Sequence, residues 1–206
     1  MMQKACSAVW LILLVLVAYT IPAKAQEQRN KGYIGLGLGP SFLPGNKDVK
    51  TGAGLHLNLL NVGYSFGKGF GVTGTWVGGA HAFDSEAMVY NQGHTYALPT
   101  RVEVSYGVLM VGPMYTSNVS DDSSIDVKFR LGSLYTSEKS TSEVSEYVSE
   151  NRTLGISLGV GYRRKIANRW CVMLSSDYYT GNQQFSFATS LNTHILSFTT
   201  GIGFVL

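Results

Sequence analysis

Charge is scarce in this chain. Asp, Glu, Lys and Arg make up only 14% of its 206 residues, against about 25% in soluble globular proteins. A water-facing exterior drawn from its polar positions would be mostly Gly, Ser and Thr. Cysteine is scarcer still, with Cys6 and Cys171 alone. Cys6 comes before the apolar N-terminal run, too early to be a lipid-attachment cysteine. Loss of an N-terminal signal would leave only Cys171, which excludes an intrachain disulfide. No run beyond the N-terminus is long and apolar enough for a membrane helix, and no convincing amphipathic helix is present. Any insertion into a bilayer must therefore use strands. The four histidines form no cluster with metal-ligand spacing. No glycine-rich loop leads into a helix, so the glycines are not phosphate cradles. No metal or other cofactor is assigned.

The N-terminus has the three parts of an export signal. Lys4 gives a positive start, and Ala8 to Ile21 is an apolar run of 14 residues, short for a membrane span. Ala23-Lys24-Ala25 then gives a small-x-small cleavage pattern. The expected organisation is a signal peptide over 1–25, cleaved after Ala25, and one domain over 26–206. Losing Lys4 and Lys24 leaves 14 basic against 13 acidic residues, a net charge of +1. Nothing in that balance suggests a nucleic-acid partner.

What the chain does have is alternation with period two, the mark of strands with two unlike faces. From Leu196 to Leu206 the even positions carry Leu196, Phe198, Thr200, Ile202, Phe204 and Leu206, and the odd ones Ser197, Thr199, Gly201, Gly203 and Val205. Eight strands are expected, at Gly32 to Phe42, Leu55 to Phe66, Phe70 to Phe83, Arg101 to Tyr115, around Ile125 to Leu131, Thr153 to Arg163, Trp170 to Thr180, and Leu196 to the last residue. In the second, the phase changes between Leu59 and Val62, which predicts a bulge near Leu60-Asn61. In the fourth, Val102, Val104, Tyr106, Val108 and Met110 are read as the apolar face. Connections alternate between tight turns, such as Gly67-Lys68-Gly69, and longer loops at Leu43 to Thr51, Asp84 to Thr100, Thr136 to Asn151 and Gly181 to Asn192.

An even strand number with short turns at one end and long loops at the other fits an outer-membrane barrel. A soluble barrel alternates as well, but keeps its apolar face inside. Low charge argues for the inverted arrangement. So do aromatics at strand ends: Phe66, Phe70, Tyr162, Trp170 and Phe204 toward one rim, Phe42 and Tyr178 toward the other. The fold class is thus an all-β, eight-stranded, antiparallel up-and-down transmembrane barrel, with long loops outside and both termini in the periplasm.

The signal peptide, the opening Gly-Tyr-Ile-Gly-Leu-Gly-Leu-Gly, the Tyr106-Gly107 to Val111-Gly112-Pro113 segment and the closing Gly201-Ile202-Gly203-Phe204 resemble small bacterial outer-membrane beta-barrel domain proteins, similar in architecture to the OmpA and OmpX barrels. The resemblance covers nearly all of the chain after the signal. It implies a location in the outer membrane and contact with outer-membrane lipid and lipopolysaccharide. It also implies that the barrel-assembly machinery reads the C-terminus. Family members usually end in an aromatic; this chain ends in Leu206, so Phe204 is the aromatic offered to that machinery. The chain stops at the barrel, so no peptidoglycan-binding domain is expected after it.

If the apolar faces meet lipid, the charges on the other faces point inward. Asp126, Lys128 and Arg163 lie near the turn end, with Arg130 further up. His81, Arg101, Glu103 and Asp177 lie near the loop end. Buried charges need partners, and hairpin register predicts the pairs His81–Glu103 and Asp126–Arg163. Such a network plugs and registers a small barrel; the alternative is a gated pore. His56 and His81 face inward by phase, His94 falls in a loop, and Cys171 faces inward beside Met173. Some small outer-membrane barrels modify lipid A with a His, a Ser and a carboxylate at a lipid-facing rim. His194 with Ser197 has neither that spacing nor a shared face, so no catalytic residues are assigned.

The Thr136 to Asn151 loop is the most distinctive surface segment. Glu138, Glu143, Glu146 and Glu150 stand against Lys139 alone, and Val144, Tyr147 and Val148 could form an apolar turn of helix. It is either a solvated loop or a contact surface for a partner, bridged to lipopolysaccharide by divalent cations. The expected function is a non-enzymatic barrel that contributes to envelope integrity or surface interaction through its loops. A narrow solute channel and a lipid A-modifying enzyme are the alternatives.

Overall fold

A computed structural model describes residues 32–43, 52–91, 94–142, 146–183 and 191–206. The signal segment, Glu143 and Val144 lie outside the described residues. The strands are β1 (Gly32–Leu43), β2 (Gly52–Gly67), β3 (Phe70–Asn91), β4 (His94–Asn118), β5 (Ser123–Ser142), β6 (Glu146–Lys165), β7 (Trp170–Gln183) and β8 (Leu191–Val205). Each pairs antiparallel with its neighbour in sequence, and β1 pairs with β8 to close the barrel. Closure leaves no free sheet edge around the ring.

The faces are inverted relative to a soluble barrel. Leu36 is 59% exposed and Leu158 55%, while Arg130 is fully buried and Lys128 is 1% exposed. Each strand is laddered to a neighbour on both sides, which meets the need for internally paired backbone in a strand structure that crosses hydrocarbon. The bulge in β2 falls at Leu59, where the ladder to β3 shifts between Asn58 and Leu60. Leu59 and Leu60 consequently both face outward. The β2–β3 turn places Gly67, Lys68 and Gly69 at φ 129°, 50° and 84°. That run of left-handed conformations explains the two glycines.

The fourth strand corrects the sequence reading. Val102, Tyr106, Val108 and Met110 point into the lumen, while Leu109, Val111 and Tyr115 face outward. Arg101 and Glu103 therefore lie on the outer face and are not lumen charges. Periodicity could not choose between faces, because Val108 to Val111 is apolar on both. Packing chooses. Tyr106 faces Gly79 across the β3–β4 ladder, and a side chain at Gly79 would run into the tyrosine ring.

The predicted loops are corrected too. The β3–β4 ladder continues from His81↔Val104 out to Asn91↔His94, and the β5–β6 ladder to Thr141↔Glu146. Most of Asp84 to Thr100 and of Thr136 to Asn151 is thus hairpin, and Tyr147 and Val148 are strand rather than helix. Ser- and Thr-rich segments with little apolar periodicity read as loop, although ladder pairing with a neighbour holds them extended.

Candidate functional site

Two apolar clusters fill the lumen, and the charged groups lie between and beside them. Toward the turn end are Tyr33, Met114, Cys171, Met173 and Val205. Toward the loop end are Val77, Tyr106, Val108, Met110, Leu134, Tyr179 and Ile195.

β5 supplies Asp126, Lys128 and Arg130 at alternate positions, so all three share the inner face. Arg163 on β6 grips Asp126 with two hydrogen bonds, Nε to Oδ2 and Nη2 to Oδ1, each 2.9 Å. Thr116 on β4 donates to Oδ1 at 2.7 Å, and the Lys128 ammonium lies 4.0 Å from Oδ2. Tyr33 offers its ring to both cations, 4.1 Å from the Arg163 guanidinium carbon and 5.4 Å from Lys128 Nζ. Higher up, Arg130 Nη2 donates to Asp177 Oδ1, and Ser175 donates to Oδ2 at 3.0 Å. Ser175 in turn meets Thr199 at 2.6 Å.

A histidine–tyrosine group sits above these pairs. His56 Nδ1 meets the Tyr106 hydroxyl at 2.7 Å, and its ring stacks on Tyr179. His81 Nε2 meets Ser41 Oγ at 3.2 Å, and its ring stacks on Tyr106. Against expectation, His81 lies opposite Val104, whereas Glu103 faces Ala82 and pairs on the outer surface with Arg101 at 3.2 Å. The cause is the reversed facing of β4.

The structure therefore brings Asp126 and Arg163 together, pairs Arg130 with Asp177, and separates His81 from Glu103. Double-mutant cycles should give a coupling of about 0.5–3 kcal/mol for Asp126 with Arg163 and none for His81 with Glu103. Stability of the folded band against urea is the readout. Tyr33, Thr116, Ser175 and Tyr106 were missed as network members. Phase alone could have found Tyr33, which alternates with Ile34, Leu36 and Leu38 and so faces inward.

The outer surface above the apolar band carries most of the remaining predicted residues. Lys139 and Glu146 pair at 2.7 Å across the β5–β6 hairpin, and this bond holds the Lys139 ammonium above its usual range. Glu138 lies on the opposite face of β5 from Lys139, half-buried, and burial pushes its carboxyl up. Glu150 lies on the outer face beside Arg152, and Tyr147 on the inner face with Ser149. His194 stacks on Tyr178 and meets its hydroxyl at 2.6 Å and that of Thr180 at 3.2 Å. That contact involves neither Ser197 nor a carboxylate. At the turn end, Phe204 packs edge-on against Trp170, and Leu206 is exposed. Among the described residues no group of three or more His, Cys, Asp or Glu is placed to hold a metal ion.

The closed eight-stranded ring with lipid-facing apolar walls has a counterpart among known sequences. Residues 11–204 match the family described as outer membrane protein beta-barrel domain. The chain belongs to that family. It is accordingly a protein of the bacterial outer membrane, and the family's fold is the one described above. No curated protein matches the chain. Among solved structures it is similar to Ail, the attachment invasion locus protein of Yersinia pestis, at 15% identity over 86% of this chain and 99% of that one, with a TM-score of 0.52. It is also similar to Neisserial surface protein A, at 8% identity over 85% and 97%, with a TM-score of 0.54. At such identities the likeness is one of fold.

Proposed function

We propose that this family member is a non-enzymatic surface barrel that contributes to envelope integrity or surface interaction through its long hairpins. The observation that carries the reading is the division of the molecule. Among the described residues its lumen is packed with side chains around a small pocket beside Asn58, Asn61, Ser175 and Thr199, while β3–β4 and β5–β6 extend as hairpins far past the apolar band. In this reading the hairpins face the exterior and the short turns the periplasm. β3 and β4 keep ten further pairs beyond His81↔Val104, about 33 Å of ladder at the usual rise. A filled lumen offers no path for a solute, and His194, bonded to two hydroxyls, is a structural contact rather than a base.

Two measurements test this. In planar bilayers the purified protein should show no conductance steps above baseline; steady open channels would favour the channel reading. Strains should then carry either the intact chain or one with residues 86–97 and 138–149 replaced by short turns. The trimmed chain should still form a heat-modifiable barrel. It should match gene loss both in entry of a hydrophobic dye and in adhesion of cells to protein-coated surfaces. Full function in the trimmed strain would rule out the hairpins as the working part.

A further inference from the structure

Arg164 and Lys165 end β6 and Arg169 immediately precedes β7, so the three lie within six residues around the β6–β7 turn, with no acidic residue among them. Among the described residues none of the three has a carboxylate within 4 Å. Unpaired cations on a floppy turn would mean little, but this turn is fixed. Ile166 and Ala167 donate to the Trp170 carbonyl at 2.9 and 3.3 Å, Lys165 to the Asp122 carbonyl at 2.7 Å, and Val205 to the Arg169 carbonyl at 2.8 Å.

The same turn is apolar where it meets the surroundings. Ile166 is 63% exposed and Trp170 50%. Trp170 packs edge-on against Phe204, and the Arg169 guanidinium lies 5.8 Å from the Phe204 ring centre. Tryptophan settles at the level of the lipid headgroups, in the aromatic girdle that rims a transmembrane barrel. Arg164 lies on the outer face opposite Val172, and Arg169 lies over the Phe204 ring, so both are held at headgroup depth beside an apolar side chain; Lys165, opposite Cys171, adds its charge from the inner side of the rim. The neighbouring β4–β5 turn carries Asp121 and Asp122, and the β2–β3 turn carries Lys68 alone, so among the described residues of this rim the cations cluster at the β6–β7 turn.

We propose that the β6–β7 turn is a headgroup site for an anionic phospholipid of the periplasmic leaflet. Arg164 and Arg169 would meet the phosphate, with Lys165 adding positive potential from the inner side of the rim, and Ile166 and Trp170 would meet the acyl chains. A zwitterionic headgroup gives the same phosphate but adds an amine that the three cations repel. Clustered Lys and Arg at a membrane surface favour anionic lipid. Naming the leaflet rests on the orientation proposed above.

The experiment uses the full chain carrying Trp76→Phe, so that fluorescence beyond the signal segment comes from Trp170. It is reconstituted in symmetric vesicles containing brominated phosphatidylglycerol or brominated phosphatidylethanolamine. Symmetric vesicles give the same readout whichever way the barrel inserts, so failure here leaves the orientation standing. Phosphatidylglycerol should quench at a mole fraction at least about threefold lower. The preference should fall with added salt. It should also disappear in a chain that also carries R164Q, K165Q and R169Q and still shows a heat-modifiable band, with R169Q alone giving a partial loss. Equal quenching by the two lipids would overturn the proposal. So would a preference that survives the triple substitution, or cell-wall carboxylates bound at this turn with no lipid preference.

Discussion

Asp177→Ala is expected to be the most damaging single change in the lumen, lowering the stability of the folded barrel by about 3–5 kcal/mol. Asp177 and Arg130 are both buried, and among the described residues Arg130 Nε and Nη1 have no hydrogen-bond partner. Among the described residues the Asp177 carboxylate is the one ion-pair partner of this guanidinium. Without it a full charge is left in a low-dielectric interior, and Ser175 loses an acceptor as well. The damage should come from the stranded cation, not from the missing bond. Asp177→Ala with Arg130→Met should therefore regain much of the loss, since paired removal of a buried ion pair is often neutral. The urea midpoint of the unboiled, fast-migrating band in lipid vesicles measures both. An alanine variant as stable as the parent would mean that this pair does not hold the lumen together. Glu103→Gln gives the contrast. Its ion pair with Arg101 is more than half exposed on each side, so its effect should stay within about 1 kcal/mol.

These contrasts mark how far the sequence could be read. Eight strands and their turns were legible because one face of most strands is strictly apolar and the other small or charged. β5 is the clearest case, with Ile125, Val127, Phe129 and Leu131 against Asp126, Lys128 and Arg130. The bulge was legible to within two residues, because two adjacent leucines cannot both face lipid without an extra residue. The facing of β4 was not legible. Val108-Leu109-Met110-Val111 suits either side of the wall, and the choice rests on Tyr106 reaching His56 on another strand. That misreading carried Arg101 and Glu103 into the lumen. The hairpin extensions were hidden for a related reason. Alternation reports a boundary between lipid and lumen, and the ladders beyond Arg101 and Thr136 stand above that boundary. Arg130 with Asp177 is a pair across 47 residues, set by which inner-face groups closure of the ring brings together.

Leu158→Arg should cost about 2–4 kcal/mol in a bilayer, and it tests the inverted faces more directly than any lumen change. Leu158 sits on the outer face of β6, midway between Tyr162 near the turn-end rim and Leu154 below Arg152. Placing a guanidinium there puts a charge in the middle of the hydrocarbon, too deep for the side chain to reach water easily. Leu154→Arg is the matched control. Leu154 is 75% exposed and Leu158 55%, so on exposure alone Leu154 should be no more tolerant in lipid than Leu158. Yet Leu154 lies next to the outer interface, where an arginine reaches the headgroups at a cost of about 0–1 kcal/mol. The two readings thus predict different orders. A wall in lipid gives a penalty graded by depth, large at 158 and small at 154. A wall in water gives little penalty at either, because a solvent-exposed leucine loses nothing by becoming charged. Urea titration of the fast-migrating band in vesicles separates them, and equal tolerance at both positions would return the apolar face to water.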